Sequence, residues 1–176
     1  MKFLKKLFLL PIQLMLMTAT NNPIMHARDA VYGSEATMFA TINDRRYNCL
    51  HFTDFEGTYT INSQQVRIMG KIGFGNKPAG GAGAWTGTAH FNQSIFRRIA
   101  DHYQKTGEMP YFEIQTTNAD RTSTVGSQTI VYHDCLITGD LVLSKIIAGD
   151  QLLDEEISGT FESWDMPQSF NDLEGL

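Results

Sequence analysis

The chain has 176 residues, 42% of them hydrophobic and 19% charged, a balance that suits one globular domain and excludes wholesale disorder. Its net charge is −5, and three of the 14 basic residues, Lys2, Lys5 and Lys6, fall within residues 1–24, which hold no acid. The body is therefore more acidic than the whole, which excludes a protein that grips nucleic-acid phosphates through clustered Lys and Arg.

Residues 1–24 open with the three lysines and continue into an apolar run over 7–17, broken by Pro11 and Gln13. That is the layout of a secretory signal, and the run is too short to cross a bilayer as a mature helix. Three readings stay open: an export signal, a membrane-interacting leader, or an extraneous extension ahead of a true start at Met25. Globular patterning begins only after Met25, so residues 25–176 are expected to form a single domain.

From Ala36 the chain reads as short strands separated by turn residues. Residues 36–42 are β-branched and aromatic, Asn43-Asp44 supplies a turn, and 47–52 resumes as a strand, which together predict a hairpin. Residues 57–61 and 65–69 are further strand material, punctuated by Asn62-Ser63. Residues 70–84, GKIGFGNKPAGGAGA, carry six glycines and one proline and predict a long loop, with 85–91 returning as a strand. On that strand Trp85, Gly87, Ala89 and Phe91 share one face.

One helix is predicted, over about 92–106. Asn92 or Ser94 can cap it, and Ile95, Phe96, Ile99, Ala100 and Tyr103 form an apolar face. Gly107 ends it and Pro110 blocks continuation. Residues 111–117, 128–137, 141–147 and 157–164 are expected as strands, and Met166-Pro167 opens an aperiodic tail. The predicted fold class is mainly β: an antiparallel β-barrel or sandwich with one packed helix and a long Gly-rich loop.

Chemistry is largely missing from this pattern. Gly70-Lys71 is followed by Ile72, so the phosphate-cradling G-x-x-x-x-G-K-[ST] loop is absent. The five histidines, His26, His51, His90, His102 and His133, show no metal-ligand spacing. Alternation along a strand places His133 and Cys135 on one side. No nucleophile elbow is present. The run Asp154-Glu155-Glu156 reads as a solvated charge cluster in a turn. Cys49 and Cys135 read as inward strand residues with free thiols, a disulfide being expected only after export. No enzyme activity, metal, cofactor or small-molecule substrate is expected.

Five stretches, taken in order, carry a family resemblance. They are 33–39 (GSEATMF), 66–70 (VRIMG), 80–91 (GGAGAWTGTAHF), 107–112 (GEMPYF) and 161–167 (FESWDMP) followed by an acidic tail. Together they resemble the tail tube (core) proteins of contractile-tailed bacteriophages and of phage-like particles of Gram-positive bacteria. Residues 1–24 have no counterpart there. The resemblance implies a structural virion protein, located in the tail, whose six-subunit rings stack into the inner tube. Its partners would be further copies of itself, the tail sheath, the baseplate and the tape-measure protein, with DNA passing down the lumen without specific binding. An acidic wall fits that role, because like charges repel and no counterions are released. The Gly-rich segment, with Lys71, Phe74, Lys77 and Trp85, is then the candidate subunit-interface loop. The competing expectation is an exported small β-barrel binding module, monomeric, with a cleaved signal peptide and a Cys49–Cys135 disulfide.

Overall fold

The computed structural model describes residues 25–173; the leader reading of 1–24 lies outside them. Eight strands and one helix follow two short 3-10 turns: β1 (Thr37–Ile42), β2 (Arg45–Asn48), β3 (Phe52–Arg67), β4 (Phe74–His90), α1 (Ile95–Thr106), β5 (Phe112–Ala119), β6 (Ser127–Ile137), β7 (Asp154–Phe161) and β8 (Ser163–Gln168). Every pairing is antiparallel. The order is β2-β1-β5-β6-β7-β4-β3, with β8 pairing β6. The sheet does not close into a barrel. It folds over β6, whose first part pairs β5 and β8 while Leu136 and Ile137 pair β7. The result is sandwich-like.

Local chemistry explains the simplest elements. Asn43 and Asp44 both have positive φ (48° and 61°), which a two-residue hairpin between twisted strands requires. The helix starts after Ser94 and ends at Gly107, whose φ of 77° places it in the left-handed cap with its N–H donating to the Tyr103 carbonyl at 2.8 Å. Of the predicted apolar face, Phe96 and Ile99 are buried and Tyr103 is exposed.

The core lies between the folded halves: Met38, Ala40, Ile42, Phe112, Ile114, Tyr132 and Cys135 meet Trp85, Ile157 and Phe161, with α1 adding Phe96 and Ile99. Rings dominate it. Trp85 has Phe96 at 6.5 Å and Phe112 at 6.1 Å, and Tyr132 has Phe161 at 4.9 Å. Burying each such side chain contributes roughly 2–3 kcal/mol of transfer free energy.

Four expectations are corrected. The Gly-rich segment is not a loop: from Phe74 it is strand β4, paired with β3 from Phe74 to Ala89 apart from a shift at Ala79-Gly80, and the turn comprises only the residues between Arg67 and Phe74. Three glycines of β4 are sites of close approach to aromatic rings, whereas Gly80 takes a φ of 84° in open space at the register shift. A Cβ on Gly83 would lie 2.3 Å from Phe161, one on Gly81 2.6 Å from Tyr59, and one on Gly87 2.6 Å from Phe52. Asn62-Ser63 does not divide two strands but marks a register shift within β3. Residues 141–147 join no ladder. The C-terminal tail begins later than expected, because β8 runs on to Gln168 and holds Pro167 as an edge strand can.

Candidate assembly surface

Side-chain alternation divides β3, β4 and β7 into two faces. On the core side the cross-strand rows are Phe55–Gly87–Ile157, Gly57–Trp85–Gly159 and Tyr59–Gly83–Phe161. On the solvent side they are Asp54–Thr88–Glu156, Glu56–Thr86–Ser158 and Thr58–Ala84–Thr160, continued by Thr60–Ala82. That second face carries three carboxylates, six hydroxyls and two methyls, with no Lys or Arg. Such a surface repels polyanions and offers few firm hydrogen-bonding anchors.

β3 is an end strand of the sheet. Its 16 residues pair β4 on one side, and nothing among the described residues pairs the other. Single-chain proteins normally shorten, charge or cover such an edge, since its free N–H and C=O groups template further pairing. Its acids Asp54 and Glu56 are the only charges before Arg67.

Beyond Gly83 the β3–β4 hairpin leaves β7 and projects as a two-stranded arm, Ser63 pairing Pro78 and Arg67 pairing Phe74. Its apolar residues face water: Ile61 is 73% exposed, Phe74 59%, and Met69 and Ile72 fully. The Arg67 guanidinium lies 5.5 Å from the Phe74 ring. Of the four candidate interface residues, Lys71, Phe74 and Lys77 all lie on this arm. Trp85 does not: it is 1% exposed, in the core, about 26 Å further along the strand at the usual rise per residue. Sequence reasoning missed Ile61, Met69 and Ile72, although apolar residues beside Gly70 and Gly73 in a turn are themselves a signal of an exposed contact.

Three polar arrangements support the frame. Arg97 on α1 donates to Glu155 at 2.5 Å, to the Val142 carbonyl at 3.2 Å and to the Gln93 carbonyl, and its guanidinium lies 4.1 Å from the Phe91 ring. Glu155 is buried and Asp154 pairs with His90, so the acidic run is part of strand β7 with two engaged members, not a solvated turn cluster. His133 bridges Glu113 on β5 (2.9 Å) and Asp165 on β8 (3.1 Å). Hydrogen bonding to Glu113, and after it to Asp165, raises the imidazole pKa above its ordinary value. Asp134, with φ of 53°, is a bulge, so His133 faces out while Cys135 is buried, and the two do not share a side. At the α1 end, His90 contacts Asp154 at 2.6 Å and burial lowers the pKa of neighbouring His51.

Cys49 and Cys135 are free and buried, and burial pushes their thiols up to about 11 and about 12. Cys49 sits just past the end of β2 rather than within a strand. Among the described residues no group of His, Cys, Asp or Glu is placed to hold a metal ion, and no helix is long and apolar enough to cross a membrane.

The family model described as Phage tail tube protein matches residues 24–168. Two relatives from Bacillus subtilis (strain 168) are similar over most of their length. The phage-like element PBSX protein XkdM is 28% identical over 84% of this chain and 97% of its own, and protein YqbM is 28% identical over 82% and 95%. The fold is shared with the tube-terminating cap of the anti-feeding prophage (TM-score 0.61, 11% identity, 88% of this chain and 100% of that one). It is also shared with a chain of the PVC sheath–tube complex, an extracellular contractile injection system (TM-score 0.57, 11% identity, 75% and 88%). With the family model covering the described strands from end to end, the chain belongs to the phage tail tube protein family, a structural component of phage tails and not an enzyme.

Proposed function

We propose that residues 25–176 act as one tail-tube domain that polymerises as stacked hexameric rings, forming the inner tube of a contractile tail through which DNA is delivered. The observation that carries this reading is the cation-free face of β3, β4 and β7 ending at the open edge of β3. An open edge of that length asks for a partner strand, and repetition around a closed ring removes every edge. The face beside it then becomes the inner wall. DNA slides past carboxylates and hydroxyls without phosphate contacts or counterion release. The arm bearing Lys71, Phe74 and Lys77 reaches an adjacent copy, while sheath, baseplate and tape-measure proteins complete the set of partners.

Negative-stain electron microscopy of the purified chain over a range of concentrations tests this. Rings or hollow tubes that grow with concentration are expected. Uniform small particles at every concentration would overturn the reading in favour of a monomeric exported binding module.

A further inference from the structure

Residues 138–153 connect β6 to β7 without regular structure, yet part of this connection has the composition of a strand. Leu141, Val142, Leu143, Ile146 and Ile147 surround only Ser144 and Lys145. Leu143 and Ile146 are exposed, and, among the described residues, 141–147 take part in no backbone-to-backbone hydrogen bond. The segment is nevertheless held in place. Arg97 donates to the Val142 carbonyl at 3.2 Å, and the Lys145 ammonium donates to the Asp154 carbonyl at 2.6 Å.

Its position in the sheet says what would cover it. The segment leaves β6 immediately after Leu136 and Ile137 pair with β7, on the side of β7 away from β4. The open edge of β3 borders the same layer on the opposite side. In a ring built from identical subunits, one lateral side of each copy must meet the other lateral side of the next. The charges match: Asp54 and Glu56 are the acids of the β3 edge, and Lys145 is the only charge of the segment. The remaining open edges fit less well. β8 pairs in the half that lacks the acidic face, and β2 is four residues long with Arg45 and Arg46 lying over Tyr47 and Phe39.

We infer that residues 141–147 add as a strand to the open edge of β3 in an adjacent copy of this chain, by the main-chain pairing that extends exposed sheet edges. The inference rests on the ring reading above and names the strand that closes it. In the monomer the segment is a strand without a ladder, and assembly supplies the ladder.

The test is amide hydrogen exchange of the full chain, as monomer and as pelleted polymer, beside a Ser144→Pro, Ile146→Pro variant. Proline removes ladder donors, and these positions donate to no backbone partner among the described residues. Amides within 141–147 are expected to slow by about tenfold or more on assembly. The variant is expected to stay monomeric with the wild-type melting temperature. Exchange in 141–147 that is unchanged between monomer and polymer would overturn the inference and leave the tube reading standing, as would variant tubes indistinguishable from wild type. A wild-type chain that never polymerises would overturn both.

Discussion

The indole of Trp85 lies flat against Gly159: a Cβ on that glycine would fall 2.5 Å from two indole carbons and 2.0 Å from the Leu136 carbonyl oxygen. Gly57, on the other flank of Trp85, leaves room for the Tyr132 ring instead, 2.5 Å from where its Cβ would be. Gly159 thus makes room for the indole itself, and Gly57 for the Tyr132 ring beside it.

Gly159→Ala is expected to cost about 3 kcal/mol or more, at the upper end of what overpacking does in a dense core, because backbone as well as a ring must shift. Gly73→Ala, in the arm's turn with nothing within 4 Å, is expected to change stability by less than about 0.5 kcal/mol. Thermal and denaturant unfolding of the two variants checks the contrast.

Arg97→Ala would strand the Glu155 carboxylate, whose side chain is only 3% exposed, without its cation. A loss of about 3–5 kcal/mol is expected in chemical denaturation. Pairing Arg97→Met with Glu155→Gln should recover part of it, since no uncompensated charge is then buried. A double variant as unstable as Arg97→Ala would show that the guanidinium's bonds to the Gln93 and Val142 carbonyls, and not its pairing with Glu155, are what Arg97 supplies.

His133 gives the fold a pH dependence with a definite sign. Its folded pKa is raised above the 6.5 of a free imidazole, so the bridge to Glu113 and Asp165 contributes fully below about pH 6.5 and is lost as pH rises through the folded value. With the side chain 28% exposed, water screens the pair, and the effect is expected to stay under about 1 kcal/mol. Melting temperatures across pH 5.5–8.5 should fall slightly for wild type relative to His133→Gln, about neutral pH. Parallel curves would remove the bridge from the account.

Both cysteines are expected to resist a thiol reagent in the native protein at pH 8, where thiols with pKa values of about 11 and about 12 are ionised at about one part in a thousand or less. Two thiols per chain should react in denaturant. Rapid native labelling would place one of them at the surface.

Reversing charge on the solvent face tests its role as a wall. Tubes of Glu56→Lys, Glu156→Lys protein are expected to retain duplex DNA about tenfold more at low salt than wild type, with the difference vanishing as salt rises. Equal retention would remove these strands from the wall.

What could be read from the sequence was what neighbouring residues decide. Asn43-Asp44 determines its own turn, and Gly107 ends its own helix, although Ser94 at the other end makes no side-chain cap. The Gly-rich stretch was misread because its conformation is decided at a distance: the rings that fill the glycine positions of β4 come from Phe52, Tyr59 and Phe161. Glu155 shows the same effect, its partner Arg97 lying 58 positions away. Residues 141–147 failed in the opposite sense, with strand composition and no strand to pair. For the candidate surface, Lys71, Phe74 and Lys77 were legible as exposed residues beside a turn, whereas Trp85 was not separable from them until the core was known.

β4 obeys two rules at once. Along one side Gly81, Gly83 and Gly87 each meet an aromatic ring, so almost any replacement there is felt immediately. Along the other, Ala82, Ala84, Thr86 and Thr88 point away from the core and can change size or charge with little consequence for folding. Lineages can therefore recoat this surface by single substitutions while the architecture stays frozen behind it, and the coating is expected to diverge fastest where the scaffold diverges least.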